Sequence, residues 1–218
     1  MELKELNNFF IKYKKKINSA VLSDELDKLG FRNQVLTNWN CNVKNINFFG
    51  IIRTLILNDT KDGNERIYRG LSFLESLKKD EILFVKGSDN YAYFGELMSR
   101  LSIKKGLKGV IIDGKTRDSI YTKKFKKFLI LSKGYSPIDI KMRGRVDKTD
   151  KEFMTNKIKI KSYDYVFADE EAVIILPKKN IGKLVKNCKN TIENEKKIIK
   201  MINNKKGIKK ILENFKEF

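Results

Sequence analysis

The sequence predicts an α/β fold, and three observations carry that reading. Ile82-Leu83-Phe84-Val85 and Val110-Ile111-Ile112 are short continuous apolar runs of strand length, and the segment between them repeats its apolar residues at helical spacing. Further runs of the same kind, at Ile51–Leu57, Phe128–Leu131 and Val173–Leu176, are set among helical segments. Hydrophobic residues make up 41% of the 218, enough to bury a full core, and no Pro-, Gly- or Ser-rich linker divides the chain, so residues 1–218 are expected to form one domain.

In chain order, the spacing predicts a helix from Leu3 to about Ile17 and another from Ser23 to Leu29. Ser23 or Asp24 would stand near the cap of the second, and Gly30 would end it. Ile51–Leu57 reads as a buried strand, Ile82–Val85 as the next, and Lys86-Gly87-Ser88-Asp89-Asn90 supplies turn formers and cap candidates. From Tyr91 to about Lys105, Phe94, Leu97, Met98, Leu101 and Ile103 mark a helix, which Gly106 is placed to stop. Val110–Ile112 is a strand ending in Asp113-Gly114. Phe128–Leu131 and Val173–Leu176 are further strands, and Lys157-Ile-Lys-Ile-Lys161 alternates as a half-exposed one. From Lys179 onward Ile181, Leu184, Val185, Cys188, Ile192 and Ile198-Ile199 trace a long amphipathic helix, with a short one from Ile208.

A strand, crossover helix and parallel strand form a right-handed unit whose two strands end at the same sheet edge, where open α/β sheets place their ligands. Twenty residues separate Glu96 from Arg117-Asp118, and this topology brings those three charged groups toward one pocket. Amides of Leu97 and Met98 would lie in the first turns of the helix, where unpaired donors favour an anion. Carboxylates such as Glu96 and Asp118 suit a hard divalent cation, and Arg117 can hold a carboxylate or keto oxygen through parallel hydrogen bonds. Together they could stabilise an enolate. The same residue types on a helix and a loop are ordinarily solvated surface charge, and spacing alone does not separate the two readings.

Composition prunes the chemistry. The chain has no histidine, which excludes a Ser-His-Asp triad, His-ligated zinc and an imidazole base. A base must then be a carboxylate, a lysine or a water activated by a metal. Cys41 and Cys188 make no metal-ligand spacing and no disulfide framework. No apolar stretch reaches membrane-spanning length and Met1–Leu6 is charged where a secretory signal would be apolar, so a cytoplasmic protein with no membrane partner is expected. The net charge of +20 would ordinarily suggest nucleic acid. The excess is mainly lysine spread along the whole chain, which supplies attraction without readout, so a nucleic-acid surface is the lesser expectation.

Several stretches resemble the RraA-like family, which contains divalent-metal pyruvate aldolases and the regulator of ribonuclease activity A. They are Ser19–Gly30, Arg32–Leu36, Gly95–Met98, Gly109–Asp118, Ser136–Asp139 with Arg143–Val146, and Tyr165–Asp169 running into Val173–Pro177. The similarity spans about residues 17 to 180, leaving residues 181–218 as a helical C-terminal tail. The resemblance implies a layered α/β domain with a swivelling-type β/β/α core and helical N- and C-terminal extensions. It implies that Asp118 binds Mg²⁺ or Mn²⁺, that Glu96 holds a metal-bound water, and that Arg117 contacts the substrate's keto oxygen. Gly95, Leu97 and Met98 would join Arg117 in binding substrate, the two amides receiving its carboxylate. The implied activity is a lyase acting on a 2-oxo acid, by retro-aldol cleavage or oxaloacetate decarboxylation to pyruvate, in a homotrimer or homohexamer with the pocket at a subunit boundary. The alternative is a non-catalytic regulator that binds RNA or a ribonuclease through its basic surface; family members with that role tend to lack the final Asp. Two turns depart from the family's pattern. Glu170-Glu171-Ala172 stands where Asp-Gly is common, and Ser162-Tyr163-Asp164 where Pro-Gly-Asp is usual, so both must be made without glycine.

Overall fold

The structure, a computed structural model, describes residues 1–60 and 67–215. Helices α1 (Leu3–Lys12) and α2 (Ser19–Lys28) lead into short strands β1 (Val35–Leu36) and β2 (Asn40–Cys41), then β3 (Phe48–Asp59), α3 (Ile67–Ser76) and β4 (Glu81–Lys86). Next come β5 (Ala92–Phe94), α4 (Glu96–Lys104), β6 (Gly109–Thr116), α5 (Ser119–Thr122) and β7 (Leu129–Tyr135). The chain closes with β8 (Gly144–Thr149), the hairpin β9 (Phe153–Thr155) and β10 (Ile158–Ile160), then β11 (Tyr165–Ala168), β12 (Val173–Leu176), α6 (Ile181–Asn203) and α7 (Ile208–Asn214). Among the described residues no helix is long and apolar enough to cross a membrane.

One 10-stranded sheet runs β1-β12-β11-β3-β4-β6-β7-β2, with β5 paired to β6 and β8 to β3. Strands β3, β4, β6 and β7 are parallel, as the strand–helix–strand reading requires, and β11 joins β3 antiparallel. The apolar runs are continuous because both faces are covered. Ile82, Phe84 and Ile111 point into an inner core with Trp39, Phe153 and Val166, while Leu83, Val85, Val110 and Ile112 face an outer core with Phe73, Leu74 and Leu77 of the α3 segment. Phe167, Ile174 and Leu176 point outward under α1, α2 and α6, against Leu6, Phe10, Leu22, Leu26, Leu184 and Cys188. The curled sheet thus closes around one core and carries helices on its outside.

Three expected boundaries move, each for a tertiary reason. The first helix stops at Lys12, because the chain turns on Tyr13 O, which accepts from Lys16 and Ile17 at 2.7 and 2.9 Å, and this buries Ile17. The second helix starts at Ser19 with Asn18 as its cap, Oδ1 accepting from Val21 N at 2.9 Å, so Ser23 and Asp24 lie inside the helix rather than at its cap. The helix expected from Tyr91 begins at Glu96, since Ala92–Phe94 pairs with the extended end of β6 as strand β5. Tyr91 and Phe94 are buried, as a helical stripe would be, and only the pairing with β6 separates the two readings.

Both glycine-free turns find other solutions. Asp169 Oδ1 accepts the amides of Glu171 and Ala172 at 3.0 and 3.1 Å, and its Oδ2 takes the Ser19 amide at 2.7 Å. The carboxylate builds the turn and ties it to the start of α2. Tyr163 adopts the left-handed conformation itself, at φ 72°.

A buried ion network joins β3, β4 and the β8–β9 turn. Arg53 donates to both oxygens of Asp150 at 2.8 and 2.5 Å and to Glu81 Oε2 at 3.1 Å, and Ser162 donates to Asp150 at 2.6 Å. Burial works to raise the Asp150 carboxyl, but the hydrogen bonds from Arg53 and Ser162 and the Arg53 charge outweigh it and hold it below its ordinary 3.8. With the folded-state value depressed, its stabilising contribution is present at neutral pH and is lost as pH falls below that ordinary value. Arg53→Met leaves Glu81 and Asp150 without their cation, and a loss of about 3–5 kcal/mol is expected from breaking a buried pair on one side. Denaturant titrations at pH 7 and pH 3 check this: the variant should lose much of its stability at pH 7 and show a shallower acid dependence than the wild type.

Candidate functional site

Strand β5 ends beside the end of β6, and two bonds lock them there. Thr116 Oγ1 and the Arg117 amide both donate to Phe94 O, at 2.5 and 2.9 Å. Gly95, the next residue, therefore lies against Arg117-Asp118. A Cβ on Gly95 would overlap Asp118 Oδ2 and stand 2.8 Å from Arg117 Cγ, so any side chain here would have to displace the Asp118 carboxylate and the Arg117 stem, for reasons of space rather than of φ.

Gly95 caps α4, and the Glu96, Leu97 and Met98 amides form its first turn, Ser99 N being the donor to Gly95 O at 3.0 Å. The Glu96 amide donates to Asp118 Oδ2 at 3.0 Å, so the Asp118 carboxylate sits at the positive end of the helix. The Leu97 and Met98 amides face the same end without a helical acceptor. Asp118 has left-handed backbone angles, φ 58° and ψ 38°, which turn its side chain back toward α4 from the end of β6. Aspartate tolerates that region better than most residues.

Arg117 lies between two carboxylates. Its Nη1 is hydrogen-bonded to Asp139 Oδ2, and its Nε stands 3.6 Å from Asp118 Oδ2. Glu96 is directed elsewhere: Oε1 accepts from Arg100 Nε and Nη2 at 2.9 and 2.7 Å, while Arg100 also covers the Phe125 ring at 5.5 Å. The structure thus brings Gly95, Arg117 and Asp118 together with the amides of Leu97 and Met98, and it places the Glu96 carboxylate one helical turn aside.

These groups line one end of a cavity of about 420 Å³. Its other walls are largely apolar, from Met98 and Leu101 of α4, Leu71 of α3, and Ile140 and Val146. Lys141, Arg145 and Tyr93 complete it, and Tyr93 Oη and Arg145 Nε are buried with no hydrogen-bond partner among the described residues. Burial alone pushes the Tyr93 phenol well above its ordinary value, so it remains a neutral donor at neutral pH.

Among the described residues no group of three or more Asp, Glu, Cys or His gathers as a metal cage. A cation held by one carboxylate and otherwise by water is a different requirement, and Asp118 meets it. Its side chain is 36% exposed on the cavity wall and its Oδ2 is oriented by the Glu96 amide, although Arg117, Lys141 and Arg145 line the same cavity and leave it no net negative charge.

Asp139, Lys141, Arg145 and Tyr93 also line the cavity, and the spacing of Glu96 and Arg117-Asp118 did not point to them. Asp139 and Arg145 did lie within the family-like stretches Ser136–Asp139 and Arg143–Val146, and an acidic residue closing a Ser-Pro-containing loop was the available signal.

The sequence pattern of the RraA-like family, described as Aldolase/RraA, matches residues 19–175. A Bacillus cereus protein provisionally named 4-hydroxy-4-methyl-2-oxoglutarate aldolase is 31% identical over 133 residues, 60% of this chain and 79% of that protein. Among solved structures, an uncharacterized protein from Pseudomonas syringae pv. tomato str. DC3000 superposes with a TM-score of 0.85 at 18% identity, over 98% of this chain and 95% of the other. RraAS2 of Streptomyces coelicolor, described as an unusual member of the RNase ES inhibitor RraA protein family, superposes with a TM-score of 0.75 at 20% identity, over 88% and 94%. At those identities the two structures speak to the fold.

Proposed function

The chain belongs to the RraA-like family, and from that premise we propose that it is a single-domain, divalent-cation-dependent lyase that releases pyruvate from a 2-oxo acid. The observation that carries the reading is the meeting of Arg117, Asp118 and the start of α4 at one end of a cavity of ligand size. The aldolase name of the Bacillus cereus relative supports the same class of chemistry.

In this reading the 2-oxo acid's carboxylate lies against the amides of Leu97 and Met98, where the helix dipole favours an anion. Asp118 would hold Mg²⁺ or Mn²⁺, which supplies Lewis-acid polarisation of the keto oxygen. Arg117 donates to that oxygen as charge builds on it. The bond from C3 to the departing group breaks, its electron pair enters the enolate of pyruvate, and a proton then returns to C3. For an aldol substrate the departing carbon leaves as a carbonyl as its hydroxyl gives its proton to a water held by Glu96, and for oxaloacetate it leaves as carbon dioxide. Glu96 would hold a water at the cavity edge only once its carboxylate turns from Arg100, to which it is paired, toward the cavity. The apolar wall of Met98, Leu101 and Val146 limits water around the forming enolate, which strengthens each of these contacts. Exposed Leu97, Ile120 and Tyr121 near the cavity fit a homotrimer or a hexamer of two trimers, in which a neighbouring subunit would cover the opening.

The test is pyruvate release from oxaloacetate and from 4-hydroxy-4-methyl-2-oxoglutarate, with and without Mg²⁺. Turnover well above the metal-only background is expected with at least one of them. Background rates with both would leave the other reading, a non-catalytic regulator that uses the net charge of +20 to bind RNA or a ribonuclease.

A further inference from the structure

Asp139 and Asp118 both lie within ion-pair distance of the Arg117 guanidinium, which hydrogen-bonds only the first. Arg117 bonds to Asp139 through Nη1, while its Nε stays 3.6 Å from Asp118 Oδ2, beyond hydrogen-bond length. We propose that Asp139 is a positioning residue that keeps Arg117 in a long ion pair with Asp118, short of a hydrogen bond, so that a cationic donor and a carboxylate hydrogen-bonded only to the Glu96 amide stand side by side on the cavity wall. This rests on the lyase reading above and assigns Asp139 a role within it.

The structure around Asp139 is built for holding. Its Oδ1 accepts the Lys141 amide at 2.8 Å, which fixes the carboxylate plane and leaves Oδ2 for the guanidinium. The loop that carries it is tied to β5 by the bond from Ala92 N to Ile138 O at 2.8 Å, and it is closed by the bonds from the Arg143 and Gly144 amides to Ile140 O, both at 2.9 Å. Asp139 is thus anchored to the strand that also positions Gly95. Asp118 is anchored separately, by its own backbone conformation and the Glu96 amide. Arg117 has the flexible side chain of the three, with five donors in a planar fork. With Nη1 on Asp139, the Nη2 group has no partner among the described residues and remains for a ligand oxygen.

Removing the Asp139 charge while keeping its shape would let the guanidinium close on Asp118. That contact would occupy the carboxylate that a cation needs and turn the fork from the substrate. The effect should match the 10- to 100-fold cost typical of losing a residue that orients a metal-site group.

The experiment uses the full chain with Asp139→Asn and Asp139→Glu. For Asp139→Asn the expected result is a kcat lower by about 10- to 100-fold, a several-fold weaker Mn²⁺ affinity in calorimetry without substrate, and an unchanged Tm. Asp139→Glu, which restores the charge, should recover part of both losses. Wild-type kcat and Mn²⁺ affinity in Asp139→Asn would overturn the proposal, as would losses that track a fall in Tm and are not eased by Asp139→Glu. A crystal structure of Asp139→Asn separates this inference from the lyase reading. If the wild type releases no pyruvate, the lyase reading fails, and the position of Arg117 still decides: closed on Asp118 supports the holding role, unmoved overturns it.

Discussion

Arg117→Lys is expected to lower turnover by on the order of 10²-fold or more, the cost of removing a preorganised donor to a developing oxyanion, with little change in stability. Lysine keeps the positive charge, so a role that needed only charge would survive the change. The fork would not. Arg117 uses Nη1 for Asp139 and presents Nε toward Asp118, and one ammonium cannot reproduce that separation of donors. Steady-state kinetics should place most of the loss in kcat, since the interaction strengthens as negative charge forms on the keto oxygen. A lysine variant with near wild-type turnover would show that Arg117 only neutralises its two carboxylates.

Asp118→Asn is expected to reduce activity and divalent-cation affinity together while the fold survives. Asparagine can keep the bond from the Glu96 amide through its side-chain oxygen, and it tolerates the left-handed backbone at this position. What it removes is the anionic ligand, so the consequence should fall on the cation rather than on local structure. Calorimetric Mn²⁺ binding and Mg²⁺-dependent pyruvate release should decline in parallel, with the thermal midpoint nearly unchanged. Undiminished metal-dependent turnover would remove Asp118 from the site and favour the regulatory reading.

Both predictions concern residues that stood out in the sequence, through Arg-Asp at the end of an apolar run and the family-like stretch around them. The fold class was equally legible. Continuous runs such as Ile82–Val85 and Val173–Leu176 belong to strands buried on both faces, and the stripe Ile181, Leu184, Val185, Cys188, Ile192 belongs to a helix buried on one. Such patterns record which faces avoid water, and that is a local property. Partner choice is not local. Ala92–Phe94 has a burial pattern compatible with helix or strand, and only the end of β6 beyond β4 made it a strand and moved the helix start to Glu96. The Glu96 carboxylate goes to Arg100, one helical turn away, while its amide goes to Asp118 across the site. Asp139 reaches Arg117 from a loop tied to β5, and Asp169, whose Oδ1 makes the glycine-free turn, takes the distant Ser19 amide on Oδ2. The sequence by itself determined the type of the long elements, the buried faces and the charged residues available for chemistry. The tertiary structure decided which of those charges meet across the site, as Arg117 meets Asp139, because such pairings depend on strand order and loop anchoring between residues far apart in the chain.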